Sequence, residues 1–413
     1  MDQYEIRAGT TEHFADVCEL ARHLNTVNLP DNPRAIRELL ETSERSFSGE
    51  LRDPRQREYV FVLWDAGRGR VLGTSMIIAQ LGRRGVPYIY LEVRSEEKYS
   101  GSLDRHFVHR VLTTRYSYDG PTEVGGLVMH PESRRSPARL GSLISYVRFL
   151  FIAMRRPDFR DEVLAELLPP FDADGTSPLW EAYGRRFTEL SYREADQLSK
   201  SNKEFVRSLF PDEIYATLLP EAAQRAIGEV GPETRGVEKL LRRIGFEYAE
   251  RVDPFDGGPH FTCATDRITL VRAARERQLT AADPAQLAAA GVRGLLARSY
   301  TEPPYFRALP VDALGELPLA AAGSNRPGPP LRGLGLQKPA AADRVSTPFT
   351  SAGVQIQPSE LGAAVVREAP RGAGTDLEGS AGHRKLSSLA VSPGVIEKIA
   401  SGDPESAWWA PLP

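Results

Sequence analysis

The chain has 413 residues, of which 41% are hydrophobic, and its formal net charge at pH 7 is −3. This length allows two domains, or one large domain with appendages, and the composition allows a sizeable hydrophobic core. Because the basic residues are interspersed with acids, the charge argues against nucleic acid as the main partner.

The first half of the chain alternates patterns that are typical of strands and helices. Residues 4–7 predict a strand, and apolar residues at helical spacing predict a helix over residues 14–24. A second amphipathic helix is predicted around residues 36–40. Two β-rich runs, residues 59–64 and 71–80, flank a turn and predict a hairpin. Further strands are predicted at residues 87–94, 107–114 and 122–130, and residues 163–168 favour a short strand or a helix.

The strand predicted at residues 122–130 leads into a polar, arginine-rich loop over residues 131–140. A strongly apolar segment of helical length follows at residues 141–154. Mixed strands with intervening helices, in this order, predict an α/β fold.

Composition changes beyond about residue 320. Proline and glycine rise to roughly a quarter of the residues, which is the level of low-complexity sequence. Aromatic residues almost disappear until Trp408 and Trp409. We therefore predict a mostly disordered tail over residues 320–413 with an exposed tryptophan pair at its end. Brief helices are predicted near residues 359–368 and 395–400.

Cysteine usage and hydropathy bear on location. Cys18 and Cys263 lie far apart and have no metal-like spacing, so we expect two reduced thiols and no metal site. The N-terminal residues carry no apolar signal core, and no run approaches the roughly 18 apolar residues of a membrane helix. The expectation is a cytoplasmic protein with no membrane partner.

Two motifs carry a family resemblance. The run S-P-L-W-E-A-Y-G-R-R-F spans residues 177–187, and V-D-P-F-D-G-G-P spans residues 252–259, after the helix-to-strand sequence I-G-F-E-Y. Together they resemble the arginine N-succinyltransferase family, within the acyltransferase superfamily called GNAT. The resemblance implies succinyl transfer from succinyl-CoA to the α-amino group of L-arginine, in arginine catabolism. Succinyl-CoA is then a co-substrate, with no further cofactor.

The resemblance also implies a domain organisation. Residues 1–200 would form a GNAT-like half that binds acyl-CoA, and residues 201–319 a related second half that completes the domain. The low-complexity tail over residues 320–413 would follow. The implied partners are the two small-molecule substrates and, as an open possibility, a second copy of the chain or a related subunit.

The same resemblance places the CoA site on the strand, loop and helix of residues 122–154. Leu127 falls where the family contacts the thioester through its backbone, with Met129 beside it. Arg134, Arg135 and Arg139 are candidates for phosphate contacts. Gly141 matches one glycine of the family's Gly-x-Gly turn, whereas Arg139 stands at the other. An arginine-rich surface loop without a ligand is the alternative.

Acid–base chemistry needs a group that accepts the proton of the attacking amine. Glu123 stands at the start of the CoA-binding strand, as a glutamate does in the family. The family's proton-donating histidine falls on Gly231, so another group must act or the activity is lost. His260 is the first substitute by sequence and His130 the second. A hydrogen-bonded structural role is the alternative for each histidine.

Arginine recognition calls for acidic and basic residues in separate places. Asp253 and Asp256, beside the glycine pair of residues 257–258, are candidates for the cationic end. Arg185 and Arg186 are candidates for a carboxylate. A tight structural turn and surface salt bridges are the respective alternatives. Ornithine or another amine as acceptor, another acyl group, and an inactive member that binds acyl-CoA or a protein all stay open.

Overall fold

A computed structural model describes residues 3–23, 28–315, 386–399 and 406–413. Within these residues, fifteen strands form one mixed sheet on which the helices pack. The sheet order is β12-β15-β11-β14-β13-β1-β2-β3-β6-β7-β10-β9-β4-β5-β8. No helix in the described ranges is long and apolar enough to cross a bilayer.

The strands are β1 (Tyr4–Ala8), β2 (Glu58–Asp65), β3 (Arg70–Ile78), β4 (Tyr88–Ser100), β5 (Arg105–Ser117), β6 (Thr122–Met129), β7 (Glu162–Glu166), β8 (Glu213–Tyr215), β9 (Glu247–Val252), β10 (Pro259–Ala264), β11 (Arg275–Ala281), β12 (Val292–Ser299), β13 (Phe306–Gly315), β14 (Ser388–Val391) and β15 (Ser406–Pro411). The α-helices are α1 (Phe14–Ala21), α2 (Pro33–Phe47), α3 (Leu140–Met154), α4 (Pro178–Ala182), α5 (Gly184–Thr188), α6 (Tyr192–Ser199), α7 (Glu204–Leu209), α8 (Glu221–Ala226), α9 (Arg235–Arg243), α10 (Thr269–Ala273), α11 (Pro284–Ala290) and α12 (Pro393–Ile399).

The predicted β2–β3 hairpin is confirmed, with Val60 opposite Met76 in its register. Residues 163–168, for which the sequence favoured either a short strand or a helix, overlap the strand β7. Strands β4 and β5 are longer than predicted because their pairing continues past the buried base of the hairpin to the pair Ser100 and Arg105. The helix predicted near residue 36 is α2, which begins at Pro33 with Asn32 as its cap.

Helix α3 is the centre of the largest core. Most of its residues are buried, which explains why its sequence is apolar on every side. Its Phe151 meets Tyr59 and Phe61 of β2 in edge-to-face contacts at ring-centroid distances of 4.9 and 5.3 Å. This packing fixes α3 against the sheet, and therefore fixes the loop that joins it to β6.

Strands β6 and β7 are parallel neighbours that pair only at their first residues. Thr122 pairs with Val163 and Glu123 with Leu164, and no further register pairs join the two strands. Beyond Glu123, β6 pairs in the described structure only with β3, which lies on its other side. The two strands therefore leave an opening in the sheet directly after Glu123.

The end of the chain corrects the predicted tail. Strands β11 to β15 hydrogen-bond in a closed ring, in which β15 lies between β11 and β12 and β14 joins β11 to β13. Trp409 is 1% exposed in the core of this ring, so the predicted exposed pair is wrong for Trp409, and Trp408 is half-buried. The prediction used the proline and glycine content of residues 320–413 as a whole, so the short strands β14 and β15 did not stand out.

The predicted helix near residues 395–400 is confirmed as α12. The other helix predicted in the tail, at residues 359–368, lies outside the described residues. The strands of the two predicted halves interleave in the sheet order, since β7 and β4 flank β10 and β9. The boundary at residue 200 stays a prediction.

Candidate active site

A cavity of about 350 Å³ lies at the opening between β6 and β7. Its walls come from distant parts of the chain, because α2, α6, the start of β4 and the end of β7 all converge there. Six carboxyl groups line it, from Glu38, Glu58, Glu123, Glu166, Asp196 and Asp253. Four basic residues also line it, namely Arg55, Arg83, Lys200 and Lys203. Such a wall suits a small ligand that carries both a cation and an anion.

Glu123 is at the floor of this cavity and is only 5% exposed. Its Oε1 accepts a hydrogen bond of 2.8 Å from the side-chain amide of Asn28. Burial raises the pKa of Glu123 above its ordinary value, while the Asn28 hydrogen bond and the charge of Lys203 oppose the rise. The carboxylate therefore accepts a proton more readily than a solvated glutamate does.

His260 is wholly buried on β10, directly opposite Glu166 of β7. Its Nδ1 lies 3.0 Å from the Tyr88 hydroxyl, and its Nε2 lies 3.3 Å from Glu166 Oε1 without meeting hydrogen-bond geometry. Burial, then the charges of Arg251 and Lys203, lowers the pKa of His260 to about 3, so the ring is neutral. His260 does not line the cavity, but Tyr88 and Glu166 do.

About a third of the Glu166 side chain is exposed, at the cavity wall. Desolvation by the surrounding protein nevertheless raises its pKa well above the ordinary value, and the neighbouring Glu123 and Asp253 raise it further. Glu166 therefore holds a proton at a pH where a solvated glutamate has lost it.

The two aspartates of the glycine turn have different places. Asp253 lines the cavity, while its Oδ1 accepts from the backbone N–H of Phe255 at 2.7 Å. Asp256 is buried behind it, accepts from the N–H of Gly258 at 2.7 Å and receives a hydrogen bond from the Tyr192 hydroxyl. Asp253 thus reaches a ligand in the cavity, whereas Asp256 shapes the turn that holds Asp253.

Arg185 and Arg186 are not brought to the cavity. Both are exposed on α5, and Arg185 pairs with Glu181 one helical turn earlier at 3.1 Å. This is the surface salt bridge that stood as the alternative to a carboxylate contact.

The predicted CoA loop has the expected strand and helix on its two sides. Arg139 adopts left-handed backbone geometry, with φ of 53°, immediately before α3. Glycine favours this conformation, so the backbone keeps the shape of a glycine turn although the residue is arginine. Gly141 is not sterically required, since a Cβ there would meet only Met129 Cγ at 3.9 Å.

The three loop arginines are exposed. Arg134 Nε donates to the carbonyl of Met129, and in the described ranges no carboxylate lies within 4 Å of Arg134, Arg135 or Arg139. Their charges are therefore available to an anionic ligand. Leu127 is half-buried against the main core, and Met129 is 9% exposed at the end of β6.

Strand β6 bulges at Gly125 and Gly126. Gly126 has φ of 55°, and a Cβ on it would lie 2.3 Å from Met76 Cγ. A Cβ on Gly125 would lie 2.3 Å from Asn28 Nδ2, the atom that donates to Glu123. Gly126 therefore favours glycine by its φ, whereas a side chain on Gly125 would displace the amide that donates to Glu123. The bulge lies between Glu123 and the loop of residues 130–139.

The two other candidate positions for a proton donor, Gly231 and His130, do not line the cavity. A Cβ at Gly231 would lie 2.6 Å from the carbonyl oxygen of Pro169, so this position has no room for a side chain. His130 follows β6 outside the cavity lining, with its ring against His23 at 5.1 Å and its Nε2 3.6 Å from Glu19.

Sequence reasoning missed Tyr88, Glu166 and Lys203, although the single charge at the end of the apolar run V-L-A-E marks Glu166.

This fold and site define an α/β protein with a charged cavity beside β6. A family model described as "Arginine N-succinyltransferase beta subunit" matches residues 4–270. An arginine N-succinyltransferase of Yersinia pestis is 32% identical over 283 residues, covering 68% of this chain and 80% of the relative. One from Escherichia coli is 33% identical over 261 residues, covering 63% and 75%. The chain belongs to the arginine N-succinyltransferase family, as its motifs predicted.

A solved structure supports the fold. Arginine/ornithine succinyltransferase subunit AI from Pseudomonas aeruginosa matches with a TM-score of 0.69 and 23% identity. The match covers 100% of this chain and 99% of that one. The predicted α/β fold is therefore confirmed.

Proposed function

We propose that this protein transfers the succinyl group of succinyl-CoA to the α-amino group of L-arginine, with Glu123 as the general base. The family membership names the reaction. The observation that carries the proposal in this chain is the acidic cavity at the opening between β6 and β7, with Glu123 at its floor.

The cavity offers complementary charges to free arginine. Asp196 and Asp253 supply carboxylates for the guanidinium group. Lys203 lines the same cavity and, among the described residues, forms no ion pair with a carboxylate. Its ammonium group is therefore free to meet the α-carboxylate of the substrate. This division of charge replaces the predicted role of Arg185 and Arg186.

The acyl donor would approach from β6 and the loop before α3. The gap that follows Glu123 gives the thioester access to the backbone of Leu127, next to Met129. Arg134, Arg135 and Arg139, together with the backbone N–H groups at the start of α3, would hold the phosphates of CoA. Among these, Arg139 is the residue with left-handed geometry at the helix start.

The chemistry follows from these positions. Glu123 removes a proton from the α-ammonium or from the attacking amine, and the amine nitrogen adds to the thioester carbonyl. The C–S bond then breaks, and the CoA thiolate takes up a proton. The buried setting of Glu123 suits the first transfer, because its pKa is shifted towards that of the group it serves.

Thiol release from succinyl-CoA by the full chain tests the proposal. Arginine should support turnover, and ornithine, lysine and agmatine separate the alternatives, since agmatine keeps the guanidinium but lacks the α-carboxylate. Turnover with ornithine alone would reassign the acceptor. Binding of succinyl-CoA without turnover on any amine would instead identify an inactive member of the family.

A further inference from the structure

We propose that Tyr88, His260 and Glu166 form a proton relay in the cavity wall, through which the Tyr88 hydroxyl protonates the departing thiolate. The inference rests on the proposed function, since it assigns the proton donor for that reaction. The proton donor must be sought elsewhere in this chain, because the family's proton-donating histidine is replaced by Gly231. That position has no room for a side chain.

The three groups form a chain with two ends in the cavity. Tyr88 and Glu166 both line the cavity, on β4 and β7 respectively. His260 lies behind them on β10 and touches both, at 3.0 Å through Nδ1 and 3.3 Å through Nε2. The imidazole is fully buried, so these two neighbours are its route for exchanging a proton with a ligand.

The state of the ring fits transfer rather than charge storage. His260 is neutral, so one ring nitrogen donates and the other accepts. Its Nε2 is buried without a hydrogen-bond partner in the described structure, and it faces Glu166 Oε1. A protonated Glu166 turned towards Nε2 completes the chain. The Nδ1–H then donates to Tyr88, whose own O–H is left to point into the cavity.

The transfer balances without any further reactant. The Tyr88 O–H bond breaks as the S–H bond of CoA forms, and His260 Nδ1–H passes its proton to the Tyr88 oxygen. Glu166 gives its carboxyl proton to Nε2 and becomes a carboxylate. After CoA has left, the proton that Glu123 took from the amine resets the chain from its other end: it reaches the Tyr88 oxygen, the Tyr88 O–H proton returns to Nδ1, and the Nε2–H proton returns to Glu166. Each cycle thus returns all groups except for the proton that the ammonium substrate releases.

A leaving-group comparison separates this role from a structural one. Succinyl thioesters of an alkyl thiol and of an aryl thiol differ in the basicity of the departing sulfur, and only the alkyl thiolate needs protonation. Tyr88→Phe should lower kcat/KM for the alkyl thioester by about 10²-fold but spare most of the rate with the aryl thioester. Glu166→Gln should show the same selectivity. Because the Glu166 side chain is partly exposed, this variant tests the relay if Tyr88→Phe folds poorly.

Tyr90→Phe is the matched control. The Tyr90 ring lies 5.0 Å from the Tyr88 ring but does not line the cavity, so its substitution should leave both rates near those of the wild type. Equal losses on both thioesters in Tyr88→Phe, or no loss on either, would overturn the relay while leaving the wild-type activity established.

A second readout needs no turnover. Nitrogen-15 NMR of the full chain, with His260→Gln to assign the signal, should show a neutral His260 ring protonated at Nδ1. Tyr88→Phe should move that proton to Nε2. A wild-type ring with Nε2 already protonated, or one unaffected by Tyr88→Phe, would contradict the relay even if the preferred amine were not arginine.

Discussion

The guanidinium of Arg148 donates to the carbonyl oxygen of Gly125 over 3.2 Å. Arg148 is 2% exposed, and its other hydrogen bonds go to the carbonyl and hydroxyl oxygens of Ser145. In the described residues no carboxylate pairs with it, and burial lowers its pKa to about 9. A buried cation is thus held on the bulge that separates Glu123 from the loop of residues 130–139, where we propose that CoA binds.

Replacing this cation should affect the CoA site more than stability. We expect Arg148→Met to raise the KM for succinyl-CoA by about tenfold, the effect of losing one hydrogen bond from a charged group. The melting temperature should stay close to that of the wild type, because removing a buried unpaired charge offsets the lost hydrogen bonds. A large drop in melting temperature with unchanged KM would make Arg148 a packing residue instead.

Glu123→Gln should lower kcat by about 10²-fold if Glu123 is the general base. Glutamine keeps the oxygen that accepts from Asn28, so the affinity for succinyl-CoA should hardly change. Because the pKa of Glu123 is raised, the wild-type kcat should fall with decreasing pH above the range in which a solvated glutamate titrates. A normal kcat with reduced thermal stability would assign Glu123 a structural role.

The loop arginines can be tested through charge and backbone shape separately. Arg134→Ala/Arg135→Ala/Arg139→Ala should raise the KM for succinyl-CoA at least roughly tenfold, since each charge-assisted phosphate contact contributes about 1.5–3 kcal/mol. Both Arg139→Gly and Arg139→Ala remove the charge, but only glycine relieves the strain that a Cβ causes at this left-handed φ, so Arg139→Gly should be the more stable variant. Equal stability of these two single variants would contradict the assigned backbone geometry. An unchanged KM in the triple variant would show that the three arginines do not bind CoA.

Asp196 should make arginine binding depend on pH near neutrality. Burial, and then the charge of Asp253, raises its pKa to about 7. A cationic ligand favours the carboxylate, so the KM for arginine should rise as the pH falls from 8 to 6. Asp196→Asn should flatten this dependence. A KM profile that is identical in the variant would exclude Asp196 from the cation site.

The raised pKa of Asp196 also affects the free energy of unfolding. A higher pH favours arginine binding but lowers the stability of the fold. The pKa of Asp196 in the folded protein exceeds its ordinary value of 3.8, so the folded chain binds more protons than the unfolded chain between about pH 4 and 7. Its contribution to the free energy of unfolding therefore decreases as the pH rises through this window. Thermal melts should show Asp196→Asn more stable than the wild type at pH 8 and equal to it near pH 4.

The sequence predicted the family, the α/β fold and the cavity residues Glu123 and Asp253. Both lie at the ends of strands within recognisable motifs, so local pattern was enough. Tyr88 and Lys203 could not be found in this way, because the register of β4 with β9, and the turn before α7, bring them to the cavity from segments with no motif. Arg185 and Arg186 lie in a dense motif, but that motif builds the surface of α5 rather than the cavity.

The last strand should be necessary for stability. Trp409→Ala should lower the free energy of unfolding by about 3–5 kcal/mol, because it empties the core of the strand ring. Deletion of residues 406–413 should do more, since β11 and β12 both lose a hydrogen-bonded neighbour. Urea unfolding followed by tryptophan fluorescence measures both effects, with Trp408→Phe as the half-buried control. Wild-type stability after the deletion would show that β15 is dispensable.

The position of β15 also sets an order of events during synthesis. Ribosomes add about 5–20 residues per second, so the roughly one hundred residues between β13 and the end of β15 take on the order of 5–20 s to appear. Throughout that time β11 and β12 expose unpaired edges that can pair with another nascent chain. The ring closes only after β15 has left the ribosome. The yield of native protein should therefore depend on chaperone supply and growth temperature more than the stability of the finished molecule suggests.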